Sequence, residues 1–208
     1  MINRILAGTA HVLRDPSVEQ VLEELYARAQ RVADEAREVE GAVGDFGFSV
    51  RPVQGELLYL LARAARAHTA VEFCSSEGAT AVYLAAAVRD NGGGLVIGAD
   101  PRPEKVAAAR ETLAAAGLAD FVDLRCGDPV EVLADLPEPV DLVAVDGWPE
   151  LAAPSLARRT LDVLAPHLRP GALVLNDGRE PDYLDLVRDP SGRFRTTLLD
   201  VGVLSYVD

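Results

Sequence analysis

The stretch from Thr69 to Asp100 constrains the fold of this chain more than any other. An apolar run from Thr69 to Cys74 is followed at once by a small polar loop from Ser75 to Gly78. A helical pattern then covers Ala79 to Asp90, three glycines break it, and a second apolar run stops at Asp100. This order of strand, tight loop, helix, turn and strand predicts a βαβ unit, in which a crossover helix joins two parallel strands.

The loop and the terminal acid indicate what kind of ligand this unit binds. Small residues from Ser75 to Gly78 let a ligand approach the backbone, and the start of the following helix offers N–H groups without helical partners. A carboxylate that ends the second strand, here Asp100, can accept hydrogen bonds from the hydroxyls of a ribose. The unit therefore predicts a site for an adenosine-containing cofactor.

Composition excludes several functional classes. The 208 residues are 49% hydrophobic and 25% charged, which is typical of one soluble globular domain with a substantial core. A net charge of −13 opposes binding to nucleic acids or anionic membranes. The sequence contains no apolar run of the ~18–20 residues that a membrane span needs, and its N-terminus does not resemble a signal peptide. We expect a cytoplasmic protein without nucleic-acid or membrane partners.

The rest of the chain continues the alternation of helices and strands. Helical patterns over residues 2–13 and 17–39 predict an N-terminal extension, residues 1–52, that acts as a lid or a dimer contact. Residues 53–208 then form the cofactor-binding domain, whose first helix covers 53–67. Further strands are predicted over 121–125, 142–145 and 172–176, with helices over 103–116, 130–136, 155–168 and 181–188 and closing strands over 194–199 and 203–207. The pattern is that of an α/β open sheet.

Four acids come directly after strands two to five, at Asp100, Asp128, Asp146 and Asp177. Ligands of open parallel sheets bind outside the carboxyl ends of the strands, so we expect the four carboxylates to converge on one crevice. The alternative is that these acids merely follow the general preference of aspartate for loops and helix N-caps.

These motifs resemble those of the class I S-adenosylmethionine-dependent methyltransferases, in particular the small O-methyltransferases similar to catechol O-methyltransferase. The stretch from Val71 to Thr80 resembles the first motif of that family. Asp100 matches its ribose-binding acid, Cys126-Gly127-Asp128 its adenine-side motif, and Val145-Asp146-Gly147-Trp148 its fourth-strand motif. The resemblance runs from about Phe48 to the C-terminus. It implies a Rossmann-like fold with a mostly parallel seven-stranded sheet, a C-terminal antiparallel strand pair and N-terminal helices.

The resemblance also implies a function. The protein would transfer a methyl group from S-adenosylmethionine to a hydroxylated small molecule, release S-adenosylhomocysteine, and work as a homodimer. The implied cofactor-binding residues are Phe48, Val50, Glu72, Cys74, Ser75, Gly78, Thr80, Asp100, Pro101, Gly127, Asp128, Asp146 and Trp148.

The chain departs from its metal-dependent relatives at the positions that serve catalysis there. Two of their three metal ligands are kept, as Asp146 and Asp177, but the third position is Gly178, and the catalytic lysine falls at Pro149. Asn176 is expected on the opposite face of its strand and should not replace the lost ligand. We therefore expect no strict metal dependence, with Asp146 and Asp177 as candidate catalytic residues and as the ligands of any metal that does bind.

The general base is not evident from the sequence. His68 and His167 precede strands and so fall on the wrong edge of the sheet, and His11 belongs to the N-terminal extension. Asp182 and Tyr183 follow the fifth strand, where capping and core roles are equally compatible with the pattern.

Two other functions were weighed. A nicotinamide-dependent oxidoreductase would carry a G-x-G-x-x-G loop, and this loop has a single glycine, Gly78. A catalytically silent methyltransferase-like partner protein is the second alternative. It is favoured by Gly178 and by Cys74, which stands where the first motif has glycine and narrows the approach of a ligand. We expect both thiols, Cys74 and Cys126, to be buried at strand ends, and Cys74 to be unreactive.

Overall fold

The computed structural model describes residues 12–38, 50–136, 139–146 and 153–208. Several predicted features lie outside these ranges. They are most of the helix expected over 2–13, with His11, and the positions Phe48, Gly147, Trp148 and Pro149.

The described residues form one sheet of seven strands: β1 (Thr69–Phe73), β2 (Leu95–Asp100), β3 (Val122–Cys126), β4 (Val140–Val145), β5 (Leu168–Asn176), β6 (Phe194–Leu199) and β7 (Gly202–Val207). Their order across the sheet is β3-β2-β1-β4-β5-β7-β6. The pairs among β1 to β5 are parallel, while β7 runs antiparallel to both β5 and β6. This confirms the predicted mostly parallel sheet with its antiparallel C-terminal pair.

Within the described ranges, seven α-helices connect or precede these strands: α1 (Pro16–Glu38), α2 (Pro52–Ala64), α3 (Ala79–Asp90), α4 (Pro103–Ala115), α5 (Pro129–Val132), α6 (Leu156–Leu164) and α7 (Pro181–Val187). The helix predicted over 155–168 was too long. It ends at Leu164, and a 3₁₀ turn, Ala165–His167, follows, because Pro166 has no N–H to continue the helical hydrogen bonds. Among the described helices, none is both long and apolar enough to span a membrane.

The core lies in two layers, one on each face of the sheet. Helices α1 to α4 pack on one face and α5 to α7 on the other. Successive side chains of β1 point to opposite faces of the sheet and so contribute to both layers. Ala70 belongs to the first layer, and Val71 and Phe73 belong to the second. Leu22 and Leu25 of α1 are buried in the same layer as α3, so the described part of the N-terminal extension shares the core of the sheet domain.

Asp141 ties three strands together at the amino edge of the sheet. Its carboxylate accepts hydrogen bonds from the backbone N–H groups of His68 (2.7 Å) and Thr69 (2.9 Å), which lead into β1, and from Nε of Arg169 in β5 (2.5 Å). His68 and His167 lie at this edge, as expected, away from the carboxyl ends of the strands.

Candidate functional site

The loop from Cys74 to Gly78 turns the chain sharply from β1 into α3. Cys74 (φ 60°) and Ser76 (φ 46°) have left-handed backbones, which cost energy in residues other than glycine. Gly78 is the N-cap of α3 at φ 93°, and a Cβ there would lie 3.2 Å from Cα of Ala109 in α4. Such a strained loop at a helix N-terminus is typical of a ligand-binding site.

Glu77 anchors this loop to helices on both sides. Its carboxylate accepts hydrogen bonds from Nε of Arg28 in α1 (2.9 Å) and from Nζ of Lys105 in α4 (3.1 Å). Partial burial alone would raise its pKa, but the two cations outweigh burial and hold the pKa below its usual value. The loop is thus tied to the N-terminal helix, a contact that the sequence did not predict.

Glu72 is a buried carboxylate next to the loop. It is 1% exposed, and neither of its oxygens has a hydrogen-bond partner among the described residues. Burial raises its pKa to about 7; the nearby hydroxyl of Ser75 opposes the shift, and the charges of Asp146 and Asp100 add to it. An unpaired buried carboxylate is costly, so this position fits a ligand that brings a positive charge or an N–H donor.

The other predicted residues of the loop and its surroundings lie at the same edge. Ser75 is buried in the loop and Thr80 in the first turn of α3, and the N–H of Ser75 donates to the carbonyl of Ala99 in β2 (3.1 Å). Val50 is buried, and its carbonyl accepts a hydrogen bond from the hydroxyl of Tyr26 (2.8 Å). Pro101 is exposed directly after β2.

Asp100 ends β2 as predicted, but its carboxylate is fully enclosed. Oδ2 accepts the N–H of Ser76 (3.1 Å), and Oδ1 accepts the backbone N–H (3.0 Å) and Nε (3.3 Å) of Arg102. The sequence interpretation missed Arg102. The hydrogen bond from the backbone N–H of Arg102 belongs to a local turn, which an aspartate followed by proline favours. The contact from the Arg102 guanidinium has no such local signal in the sequence.

Asp128 lies just past the carboxyl end of β3. It is exposed and caps α5 by accepting the N–H of Val130 (2.9 Å). Gly127, at φ 153°, donates its N–H to the carbonyl of Asp100 (3.1 Å), which joins this turn to β2. The helix cap engages one oxygen of Asp128, and its role on the adenine side of the cofactor stays a prediction.

Asp146 and Asp177 do come together, at a small cavity between the ends of β1, β4 and β5. Phe73, Asn176 and Glu180 line it with them. Asn176 and Asp177 both reach the cavity because β5 ends at Asn176, so strict alternation of faces no longer holds there. Reduced hydration raises the pKa of Asp177; Gln54 opposes this shift, Glu180 reinforces it and Arg51 opposes it.

The position after Asp177 carries no side chain, and Glu180 lies beside it. A Cβ on Gly178 would lie 2.5 Å from both carboxylate oxygens of Glu180, so Glu180 occupies the place of the missing side chain. The amide of Asn176 is engaged, accepting from the N–H of Gly178 (2.9 Å) and donating to Glu180 (3.3 Å). Among the described residues, no group of three or more His, Cys, Asp or Glu side chains is placed to hold a metal ion.

The remaining candidates have structural roles. Asp182 accepts the N–H of Ser155, the N-cap of α6 (2.6 Å), and Tyr183 is fully buried. Cys74 is half-buried, not fully buried as expected. Its loss of hydration raises its pKa to about 12, with the charges of Asp100 and Asp146 adding to the shift, which agrees with an unreactive thiol. Cys126 is exposed, against the expectation of a buried thiol, because β3 is an edge strand of the sheet.

Known proteins resemble this chain in sequence and in fold. A catechol O-methyltransferase from Niastella koreensis is 31% identical over 102 residues, which are 47% of this chain and 45% of that protein, so the chain matches less than half of its length. A methyltransferase from Geobacter sulfurreducens has a TM-score of 0.63 at 25% identity over 88% of each chain. An O-methyltransferase from Bacillus cereus, solved in complex with SAH, has a TM-score of 0.65 at 20% identity over 100% of each chain, which is a likeness of fold.

A family model described as a methyltransferase domain matches residues 71–178. The match spans β1 to the residues just after β5, and so includes the strained loop, Asp100 and the cavity around Asp146. Because it covers more than half of the chain, this protein belongs to the methyltransferase domain family.

Proposed function

We propose that the protein transfers a methyl group from S-adenosylmethionine to a hydroxyl oxygen of a small-molecule acceptor. Family membership supports methyl transfer, and the O-methyltransferase relatives, one of them solved with SAH, support the donor and the oxygen acceptor. The observation that carries the proposal is Glu72, a buried carboxylate without a partner beside an acid-ended βαβ unit. This donor brings an ammonium and a sulfonium group, either of which suits that carboxylate.

The residues of the site divide into a donor side and an acceptor side. On the donor side, the backbone of the loop and of the start of α3 would hold the methionine part, with Glu72 supplying negative charge and Asp100 addressing the ribose. Bound S-adenosylmethionine supplies an electrophilic methyl group on a positively charged sulfur. Holding the acceptor oxygen in line with that methyl carbon and sulfur removes much of the entropic part of the barrier.

On the acceptor side, Asp146 and Asp177 would lie next to the acceptor hydroxyl, since they line one cavity at the carboxyl edge. Methylation of that oxygen would release its proton, and a carboxylate of this pair would accept it. A carboxylate with a raised pKa is a better proton acceptor than an ordinary one, and Asp177 has that property because its hydration is reduced. We assign the proton to the Asp146–Asp177 pair.

We further propose that the reaction has no strict requirement for a divalent metal. Gly178 offers no side-chain ligand atom at the position where the metal-dependent relatives have their third ligand, and Pro149 stands where they have lysine. In such a site the protein must align the acceptor through its own side chains. Magnesium can still bind weakly to one or two carboxylates with waters completing its shell, but weak binding is not dependence.

Calorimetry tests the donor, and turnover tests the reaction. We expect the wild-type protein to bind S-adenosylmethionine and S-adenosylhomocysteine but not NAD. With a library of hydroxylated acceptors, we expect methyl transfer that persists after exhaustive chelation and falls at least tenfold in Asp177→Asn, while the affinity for S-adenosylhomocysteine stays within about twofold. Binding of NAD alone would contradict the assignment. Binding without turnover of any acceptor would favour a silent partner protein, and activity that returns only with magnesium would show that Asp146 and Asp177 form a working metal site.

We also propose a cytoplasmic homodimer with the N-terminal extension as lid or dimer contact. Exposed apolar side chains on the described surface support a second copy, among them Val53 and Leu60 of α2 and Tyr206 of β7. The tie between Arg28 and Glu77 supports a role for α1 beside the binding loop.

A further inference from the structure

Asp100 cannot be reached by a ligand in this conformation. It is 0% exposed, and both carboxylate oxygens already accept hydrogen bonds. The N–H of Ser76 closes one oxygen from the loop side, and Arg102 closes the other through its backbone and its guanidinium. If the second-strand acid receives a ribose, something must move first.

We propose that the guanidinium of Arg102 is a gate that competes with the cofactor ribose for Asp100. The proposal rests on the proposed function, because it needs a ligand that carries a ribose. In the closed state, Nε of Arg102 bonds Oδ1 of Asp100, and in the open state the ribose hydroxyls take that place. Arg102 thereby sets both the affinity for the cofactor and the ease of product release.

The three contacts on Asp100 differ in how readily they break. The backbone bond from Arg102 belongs to the turn after β2 and persists unless the turn unfolds. The contact from Ser76 requires movement of the strained loop. The guanidinium contact is the longest of the three at 3.3 Å, and the Arg102 side chain is 36% exposed, so this contact can break by rotation of a side chain with no movement of the backbone.

Competition of this kind lowers the observed affinity in proportion to the population of the open state. If the open state makes up about a tenth to a third of the molecules, abolishing the closed state tightens binding by about three- to tenfold. The gain is confined to ligands that use Asp100. It does not depend on the charge of the ligand, because the gate acts by occupying the carboxylate.

The experiment compares adenosine with 2′,3′-dideoxyadenosine, two uncharged probes that differ only in the ribose hydroxyls. Calorimetry is performed on the full chain as wild type, Arg102→Met and Arg102→Gln, with S-adenosylhomocysteine as a third probe. Arg195→Met is the matched control, since it also removes one arginine. Arg195 lies on β6, five strands from β2 and so about 24 Å away. Thermal melting confirms that each variant is folded.

We expect Arg102→Met to bind adenosine and S-adenosylhomocysteine about three- to tenfold more tightly than the wild type does, and to release them more slowly. The affinity for the dideoxy probe should change by less than twofold. Arg102→Gln, which is shorter and uncharged, should tighten binding to a lesser degree, and Arg195→Met should change nothing. Unchanged or weaker adenosine binding in both Arg102 variants would overturn the gate, as would an equal gain for the dideoxy probe. A wild-type protein that binds neither adenosine nor S-adenosylhomocysteine would contradict the proposed function itself, and the gate with it.

Discussion

At the scale of single residues, the site contains residues whose burial or backbone conformation destabilises the folded state. Glu72 is buried without a hydrogen bond, and Cys74 and Ser76 have left-handed backbones. Each of these features costs stability, and they cluster within five residues. Such clustering is the usual signature of a site shaped for a ligand and not for the free protein.

Glu72→Gln should therefore stabilise the free protein at neutral and alkaline pH. Since burial raises the pKa of Glu72 from 4.5 to about 7, the folded state holds a proton that the unfolded state releases. Stability then falls as the pH rises from about 4.5 to about 7 and stays lowered above that, by about 3 kcal/mol. Urea unfolding at about pH 8 should show the variant more stable by up to this amount, with the difference gone near pH 4.

The same variant should bind S-adenosylmethionine more weakly, because the negative charge is lost. Glu77→Gln is the matched control. The partners of Glu77 lower its pKa, so removing its charge should change the free energy of unfolding in the opposite direction. It should destabilise the protein at about pH 8 by up to ~1 kcal/mol, as expected of a partly exposed ion pair. If Glu72→Gln proved less stable than wild type at that pH, the charge at Glu72 would have a partner inside the protein.

At the scale of elements, the contact between α2 and α3 depends on a missing side chain. A Cβ on Gly55 of α2 would lie 2.1 Å from Cε2 of Tyr83, and the Tyr83 ring is fully buried in α3. The two helices approach closely there, which brings the start of α2 and Val50 up to the edge where the binding loop lies. Glycine inside a helix is otherwise unfavourable, so packing explains its presence.

Gly55→Ala should destabilise the protein by about 1–3 kcal/mol, as overpacking of a core does, even though alanine favours the helix by about 1 kcal/mol. The double variant with Tyr83→Leu, which removes the ring, should recover part of that loss. Chemical denaturation of the two single variants and the double variant measures the coupling. Additive losses in this cycle would mean that Gly55 is required for a reason other than the Tyr83 ring.

At the scale of the whole molecule, the two edges of the sheet have separate tasks. The carboxyl edge holds the candidate site, and the amino edge is fastened by Asp141, which joins the segments leading into β1 to Arg169 of β5. Burial alone would raise the pKa of Asp141. Its bonds from Thr69, Arg169 and His68 outweigh burial and hold the pKa below its usual value. The carboxylate at the amino edge thus stabilises the fold, and those at the carboxyl edge form the candidate site.

Asp141→Asn should destabilise the protein by about 2–3 kcal/mol at neutral pH, since it weakens charge-assisted hydrogen bonds to a nearly buried group. A lowered pKa means that the stabilisation is present above the unfolded value, about 4, and is lost as the pH falls through the folded value. The gap between variant and wild type should therefore shrink in acid, as followed by urea unfolding. Asp123→Asn, which loses a more exposed pair with Arg125, should cost less than 1 kcal/mol. Affinity for S-adenosylhomocysteine should not change, and a loss of affinity on Asp141→Asn would show that the two edges are coupled.

Local sequence patterns determined most of the elements. The bounds of α3 were predicted correctly because Gly78 and the three glycines after Asp90 punctuate a strong apolar pattern. The strand β6 was also placed correctly. Where long-range pairing decides, the prediction failed: β5 begins at Leu168 and not at 172, because Leu168 pairs with Val140 of β4. Residues that far apart leave no local signal.

The candidate site divides in the same way. The sequence by itself determined the acid-ended βαβ unit, the carboxylates after the strands and the lack of a side chain at Gly178, because these are properties of short segments. Only the tertiary structure decided what each carboxylate contacts. It placed Arg102 on Asp100, Arg28 on Glu77, and Glu180 in the space beside Gly178, and it left Glu72 without a partner. Spacing along the chain can bring residue types to one edge of a sheet, but the pairing of side chains there depends on how helices and loops distant in sequence pack against it.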